Sequence, residues 1–168
     1  MFQQQLQLNN MLDEFKATDK IWIYTSSVEF SDSQIAIIDG YATNFLHGWE
    51  SHGSSVKGTV KILFKRFILI AADDCDGSMC GRAQDAQVNL MKALEAELQI
   101  SLFDRMIIAF KNDEGKVDVT PMNNFQELLA SNTFSKDTIV FNNMITHVGE
   151  FAEKWEVPVR DSWHAQLA

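Results

Sequence analysis

Residues 67–72, FILIAA, constrain the fold more than any other stretch of the chain. A half-exposed strand alternates polar and apolar residues, because successive side chains point to opposite faces. Six apolar residues in a row are apolar on both faces, so this segment predicts a strand in the centre of a sheet. The rest of the pattern is arranged around it.

Upstream, IWIYTSS (21–27) is β-branched and aromatic and reads as a strand. Ser31 and Gln34 then fit a capping box, and Phe30 with Ile35 the hydrophobic staple beside it. Ile35, Ile38, Ala42, Phe45, Leu46 and Trp49 follow at helical spacing, with Gly48 and Gly53 at the end. VKGTVKILF (56–64) alternates as a strand should, and Lys65-Arg66 turns it into FILIAA. After the loop at 72–85 comes a helix from about Arg82 to Leu98, with Ala83, Ala86, Leu90, Leu94 and Leu98 as its stripe. RMIIAF (105–110) closes the series as a strand.

The order over 21–110 is β-α-β-β-α-β, which predicts an α+β, ferredoxin-like antiparallel sheet with two helices on one face. Residues 1–20 form an N-terminal helical segment, with Leu8, Met11, Leu12 and Phe15 on one face of a helix over 6–15. Residues 111–168 add a β-α-β-α extension: a turn at KNDEG, a strand at 116–120, and a helix capped by Thr120 with Pro121 at its first position. TIVF (138–141) is a last strand, Thr146 caps a short helix ending near Trp155, and the remaining tail is irregular. The extension must widen the sheet or cover its open face. We expect Trp155 and Trp163 of the tail to pack over Trp22 and Tyr24 of the first strand. The whole of 1–168 reads as one domain, since this length suffices to bury a core.

Composition excludes function classes rather than choosing one. The net charge of −9 is lopsided: residues 1–72 carry seven acidic and six basic side chains, residues 73–168 sixteen acidic and eight basic. Such a field repels phosphate backbones and anionic membranes. The partner expected is therefore a protein or a small molecule, with a homodimer as a further expectation, and not a nucleic acid or a membrane. Two cysteines do not make a disulfide framework. The N-terminus has no basic stretch before an apolar run, and no segment has a membrane span's length. The expected location is the cytoplasm.

The tail WEVPVRDSWH (155–164), with LFDRM (102–106) and TIVFNN (138–143), resembles a family of small uncharacterised bacterial proteins, whose members are often labelled ABC transporter ATPase. The resemblance runs over most of the chain. None of its motifs carries an assigned chemistry, so it implies no catalytic residues. The label can be tested on the residues. A P-loop needs G-x-x-x-x-G-K-[ST], whose amides, lysine and hydroxyl hold the phosphates and Mg²⁺. The nearest stretch, from Gly77 to Ala83, has the wrong spacing, no lysine and no hydroxyl at its end. An LSGGQ-like signature is absent as well, and ATPase activity is not expected.

Candidate sites gather in ADDCDGSMCGRAQD (72–85), just past the central strand. Asp73, Asp74 and Asp76 could bind a ligand or hold Mg²⁺, or could be the solvated carboxylates of a turn. An EF-hand is excluded, because Ala72 and Ala83 would occupy its first and last ligand positions. Cys75 and Cys80 are neither at redox spacing nor a zinc-knuckle pair, and His47 and His52, five apart, do not share a helical face. No metal or cofactor is expected. Cys80 and Gly81 stand where a helix begins, a position that lowers a thiol's pKa, and Arg82 adds to it while the aspartates oppose it. Cys80 is thus a candidate nucleophile, and Gly81 and Arg82 candidate ligand contacts.

The tail offers His164, beside Asp161 and Trp163, as a candidate acid–base partner, and Trp163 as a ligand contact; the alternative is that Trp163 is a packing anchor. Trp22, Tyr24 and Phe67, with Lys57 and Lys61, could also form a base-stacking sheet, although no RNP1 pattern surrounds residue 67. Two functions follow. One is a non-catalytic binding or accessory protein. The other is a small enzyme whose site is the 73–82 loop, acting as a thiol or metal centre.

Overall fold

The computed structural model of the protein describes residues 8 and 10–168. The first residues of the expected 6–15 helix lie outside these. From Met11 to Phe15 the chain runs in turns, the last closed by the Phe15 N–H on the Leu12 carbonyl at 2.9 Å. Leu12 and Phe15 are buried there.

FILIAA is the central strand. β1 (Lys20–Thr25), β4 (Gly58–Leu63) and β5 (Phe67–Ala72) form an antiparallel sheet in the order β1-β5-β4, and all six residues of β5 are buried. Between β1 and β4 stand helix α1 (Asp32–Gly48) and a small hairpin, β2 (Glu50–Ser51) and β3 (Ser54–Ser55). The Ser31–Gln34 capping box is present in both directions. Helix α2 (Gly81–Leu98) follows the loop after β5 and packs with α1 on one face of the sheet. Ile38, Trp49, Ile68, Ile70, Met91 and Leu94 form that core.

The fold is α+β with antiparallel sheets, but the expected fourth strand does not join β1. β6 (Ile107–Lys111) heads a second sheet with β7 (Val117–Pro121), β8 (Ile139–Phe141) and β9 (Glu156–Pro158), in the order β7-β6-β8-β9. Two facts explain this departure from a ferredoxin-like sheet. β6 has a local partner, because the turn closed by Gly115 N–H on the Asn112 carbonyl (2.8 Å) folds β7 directly against it. The free edge of β1 is also taken: Ile21 N–H donates to the Thr146 carbonyl at 3.1 Å and Val148 N–H to Asp19 at 2.9 Å.

The second sheet covers the first. Ile21, Ile23, Phe67 and Leu69 meet Ala109, Val117, Phe141 and Trp155 in a core between the two sheets. On its outer face, Ile108, Phe110 and Val140 pack with Phe125 of α3 (Met122–Ala130) and with Val159. Four layers result: two helices, two sheets, then α3 with the C-terminal turns.

The extension differs from its expected form in detail. Pro121, not Thr120, is the N-cap of α3, and the Thr120 hydroxyl instead accepts from the Asn124 amide at 2.6 Å. His147, not Thr146, caps the next helical segment, α4 (Val148–Glu150), which continues as a π-turn over Phe151–Trp155. Part of the supposedly irregular tail is strand β9. Nor does the tail cover Trp22 and Tyr24. Those rings face the helices, Trp22 toward Trp49 (6.3 Å) and Tyr24 toward Phe103 (5.4 Å). Trp155 is 1% exposed on the opposite side of the sheet, and Trp163 lies in the outermost core. A base-stacking surface is excluded by the same geometry, since Phe67 points away from Trp22 and Tyr24 and is fully buried.

Candidate functional site

Side chains alternate along β5, so its end at Ala72 delivers the chain beyond the sheet, where a loop must reverse into α2. That loop takes three successive residues with positive φ: Cys75 (50°), Asp76 (54°) and Gly77 (87°). Only glycine adopts this conformation freely. The Asp74 carbonyl holds the turn together, accepting from the amides of Gly77, Ser78 and Met79 at 3.0–3.2 Å.

The three carboxylates of the loop point to separate tasks. Asp73 accepts the Cys75 N–H at 2.8 Å, Asp74 lies 3.6 Å from Lys20, and Asp76 pairs with Lys16 at 2.9 Å on the surface. Among the described residues, no group of three His, Cys, Asp or Glu side chains is placed to hold a metal. The loop's charge acts on Cys75. Burial raises that exposed thiol's pKa first, and Asp73, Asp74, Asp19 and Asp76 raise it further.

Cys80 has the opposite surroundings. It is the N-cap residue of α2, with extended backbone at φ −71° and ψ 154°. Against it stands the β2–β3 hairpin, whose two-residue turn, His52-Gly53, has positive φ at both positions (52° and 77°). This is the tight turn that matches strand twist, and it fixes Ser51 beside α2. Ser51 is 6% exposed. Its oxygen accepts the Cys80 N–H at 3.0 Å, and its hydroxyl donates to the Cys80 sulfur at 3.5 Å. The Ala83 and His52 amides act on the same sulfur, although Cys80 makes no formal capping bond. These donors, the Ser51 hydroxyl foremost, bring the thiol down to about 7, against a smaller opposing effect of burial. Such a thiol is about half ionised at neutral pH, and the thiolate is the nucleophile.

The sulfur opens on a cleft of about 590 Å³ lined by Phe45, Trp49, Ala86, Glu50, His52, Cys80 and Arg82, with Gly48 and Gly53. Trp49 is a fixed wall, because its indole N–H donates to the Ala83 carbonyl at 2.8 Å. The His52 ring is placed by Nε2, which lies 3.0 Å from the Ser78 carbonyl and therefore carries the proton there. Apolar wall and polar rim thus meet at one thiol, a combination typical of small-molecule sites.

Of the residues singled out in the sequence, Cys80 and Arg82 line this cleft, and Gly81 opens the helix beneath them. Asp73, Asp74 and Asp76 do not line it. His164 is elsewhere: it is 1% exposed in the outermost core near Phe125, its Nδ1 is 2.7 Å from the Ser162 hydroxyl, and burial lowers its pKa to about 4. It is a core histidine and no partner for Cys80. Trp163 stacks on it at 3.9 Å and contributes no wall to the cleft. His47 is exposed, with Nδ1 3.0 Å from the Thr43 carbonyl. Ser51 and Glu50 were missed, His52 was weighed only with His47 as a metal ligand, and Phe45, Trp49 and Ala86 were read only as helix-stripe residues. The hairpin's signal was SHGS (51–54), a polar pair around His-Gly directly after an amphipathic helix.

No family model matches the chain, and neither a curated protein nor a solved structure shows significant similarity to it.

Proposed function

We propose that the protein is a small-molecule-binding module whose site is the cleft at the start of α2. One observation carries this: the cavity of about 590 Å³ combines the Phe45, Trp49 and Ala86 wall with the Glu50, His52, Cys80 and Arg82 rim. A ligand suited to it has a flat apolar body and a polar or anionic end directed at Arg82 and the α2 amides. A panel of chloroacetamide fragments, read by intact mass, tests the proposal. Fragments carrying an aromatic ring and a carboxylate should label Cys80 at least about tenfold faster than chloroacetamide itself, a difference of about 1.4 kcal/mol in recognition. Uniform rates across the panel would mean that the cleft recognises nothing.

A second reading, a small enzyme with Cys80 as nucleophile, is favoured by the sulfur's donors and its value of about 7. It predicts repeated turnover of activated thioesters, whereas a binding module stops after one acylation. The setting proposed is a reducing cytoplasm, in which Cys75 and Cys80 persist as the free thiols they are here. Among the described residues no helix is long and apolar enough to cross a membrane. Kinship with the small bacterial family whose tail this chain resembles belongs to the proposal too. An ATPase role does not, since no P-loop exists to hold the phosphates.

A further inference from the structure

We infer that Cys80 captures flat α,β-unsaturated carbonyl compounds by conjugate addition, with the ligand's plane on the Trp49 wall and its oxygen toward Arg82. The inference rests on the reading of the cleft as a small-molecule site, and adds the chemical class of the ligand. Cys80 is half-buried and lines a cavity of about 590 Å³ that also has Phe45, Trp49 and Ala86 as its apolar wall and Arg82 on its rim. The Phe45 and Trp49 rings lie 4.6 Å apart at 38°. The bond from the Trp49 indole to the Ala83 carbonyl (2.8 Å) ties this wall to the first turn of α2, which Cys80 caps. The Ser51 hydroxyl, 3.5 Å away, holds the sulfur from the other side. Wall and sulfur therefore keep a fixed separation, and a planar ligand seated on the wall is held beside the nucleophile.

Conjugate addition asks for what these residues supply. The thiolate, a soft and polarizable nucleophile, forms a bond to the β-carbon of the ligand. The π pair of the C=C bond moves onto the carbonyl oxygen as an enolate, and the α-carbon then takes a proton from water. No leaving group departs and no oxidant is consumed. The developing oxyanion needs donors. Arg82 is exposed, and among the described residues the ion pairs of arginine involve Arg160 alone. The amides of Gly81 and Arg82 also lack acceptors among the described residues, because the Cys80 carbonyl takes those of Ala83 and Gln84, each at 3.1 Å. Glu50, a rim carboxylate on β2, repels the oxyanion and so directs it to the α2 side. Disulfide exchange would instead need a second thiol at the cleft. Cys75 does not line it, and burial and the neighbouring aspartates keep that thiol protonated.

The test uses the full chain and trans-benzoylacrylate, which joins a phenyl ring, an enone and a carboxylate. Adduct formation is followed by intact mass, and each rate is divided by the reagent's rate with N-acetylcysteine. On that scale benzoylacrylate should react at least about tenfold faster than acrylamide, an acceptor without a ring. Peptide mapping should place the adduct on Cys80 and leave Cys75 free, and Cys80→Ser should abolish it. Arg82→Gln should slow benzoylacrylate about threefold or more at unchanged thermal melting. Benzoylpropanoate, the saturated analogue, cannot add, and separates this inference from the reading of the cleft by protecting Cys80 from iodoacetamide. Protection by benzoylpropanoate with no preference for benzoylacrylate over acrylamide overturns the capture, while the cleft remains a binding site. Neither protection nor preference overturns both.

Discussion

The hydroxyl of Ser51 lies 3.5 Å from the sulfur of Cys80, and its oxygen receives the Cys80 N–H at 3.0 Å. One serine on a two-residue hairpin thus grips both the backbone and the side chain of the residue that starts α2. The grip explains why the two cysteines differ. Cys75 sits among aspartates that oppose its ionisation, and Cys80 among donors that favour it.

Gly58→Ala tests the cleft's rear wall. A methyl group at residue 58 would stand 2.6 Å from Cζ3 of Trp49, a buried ring held by its bond to Ala83. The ring cannot yield freely, so the change should destabilise the fold by about 1–3 kcal/mol, as overpacking does. Urea denaturation measures this, and a shift in tryptophan emission should accompany it.

Trp155→Ala tests the sandwich. The ring packs at 4.9 Å from Phe141 and Phe151 and at 5.1 Å from Phe67, between the two sheets. Its loss should cost about 3–5 kcal/mol. Deleting 155–168 should cost more, because β9 goes with it; an unchanged melting temperature would contradict the layering.

How much of this was legible follows from what each signal depends on. FILIAA fixed the central strand because burial on both faces admits no other placement of six apolar residues. Ser31, Gln34 and the 3.6-residue stripe placed α1 for local reasons. The destination of β6 was not legible, since its strand pattern is the same whichever sheet it joins. β7, which pairs with β6, and the 146–148 segment, which takes the edge of β1, decided it together, and both lie later in the sequence. Likewise Cys80 could be suspected from its place at a helix start, but Ser51 is 29 residues away. Only the hairpin turn at His52-Gly53 brings it across. His164 misled because adjacency in RDSWH suggested a site, whereas the fold buries it in the outer core.

The partly buried pair Lys111 and Glu156 should behave asymmetrically. Their side chains are 17% and 12% exposed, Lys111 also faces the Phe64 ring at 5.5 Å, and one Glu156 oxygen has no partner among the described residues. Lys111→Met strands the carboxylate and should cost about 3–5 kcal/mol, while Lys111→Met with Glu156→Leu should recover most of it. Chemical denaturation of the single and double variants decides this.

His164 sets part of the acid limit of stability. Its folded value is about 4, lowered by burial, while an unfolded histidine titrates near 6.5. Between these values the unfolded chain binds a proton that the folded chain does not. Stability is therefore full above about 6.5 and falls as the pH drops toward about 4, by up to about 3 kcal/mol. His164→Phe should show a flatter decline over that window in urea titrations at stepped pH.

The most direct test of the account is the pH–rate profile of Cys80 alkylation by iodoacetamide in a Cys75→Ser background. The inflection should fall near 7, the value to which Ser51 and the neighbouring amides bring the thiol. Adding Ser51→Ala should move it upward and slow labelling at neutral pH. An inflection at the ordinary thiol value of about 8.5, unmoved by Ser51→Ala, would contradict the reading of this cleft as the protein's site.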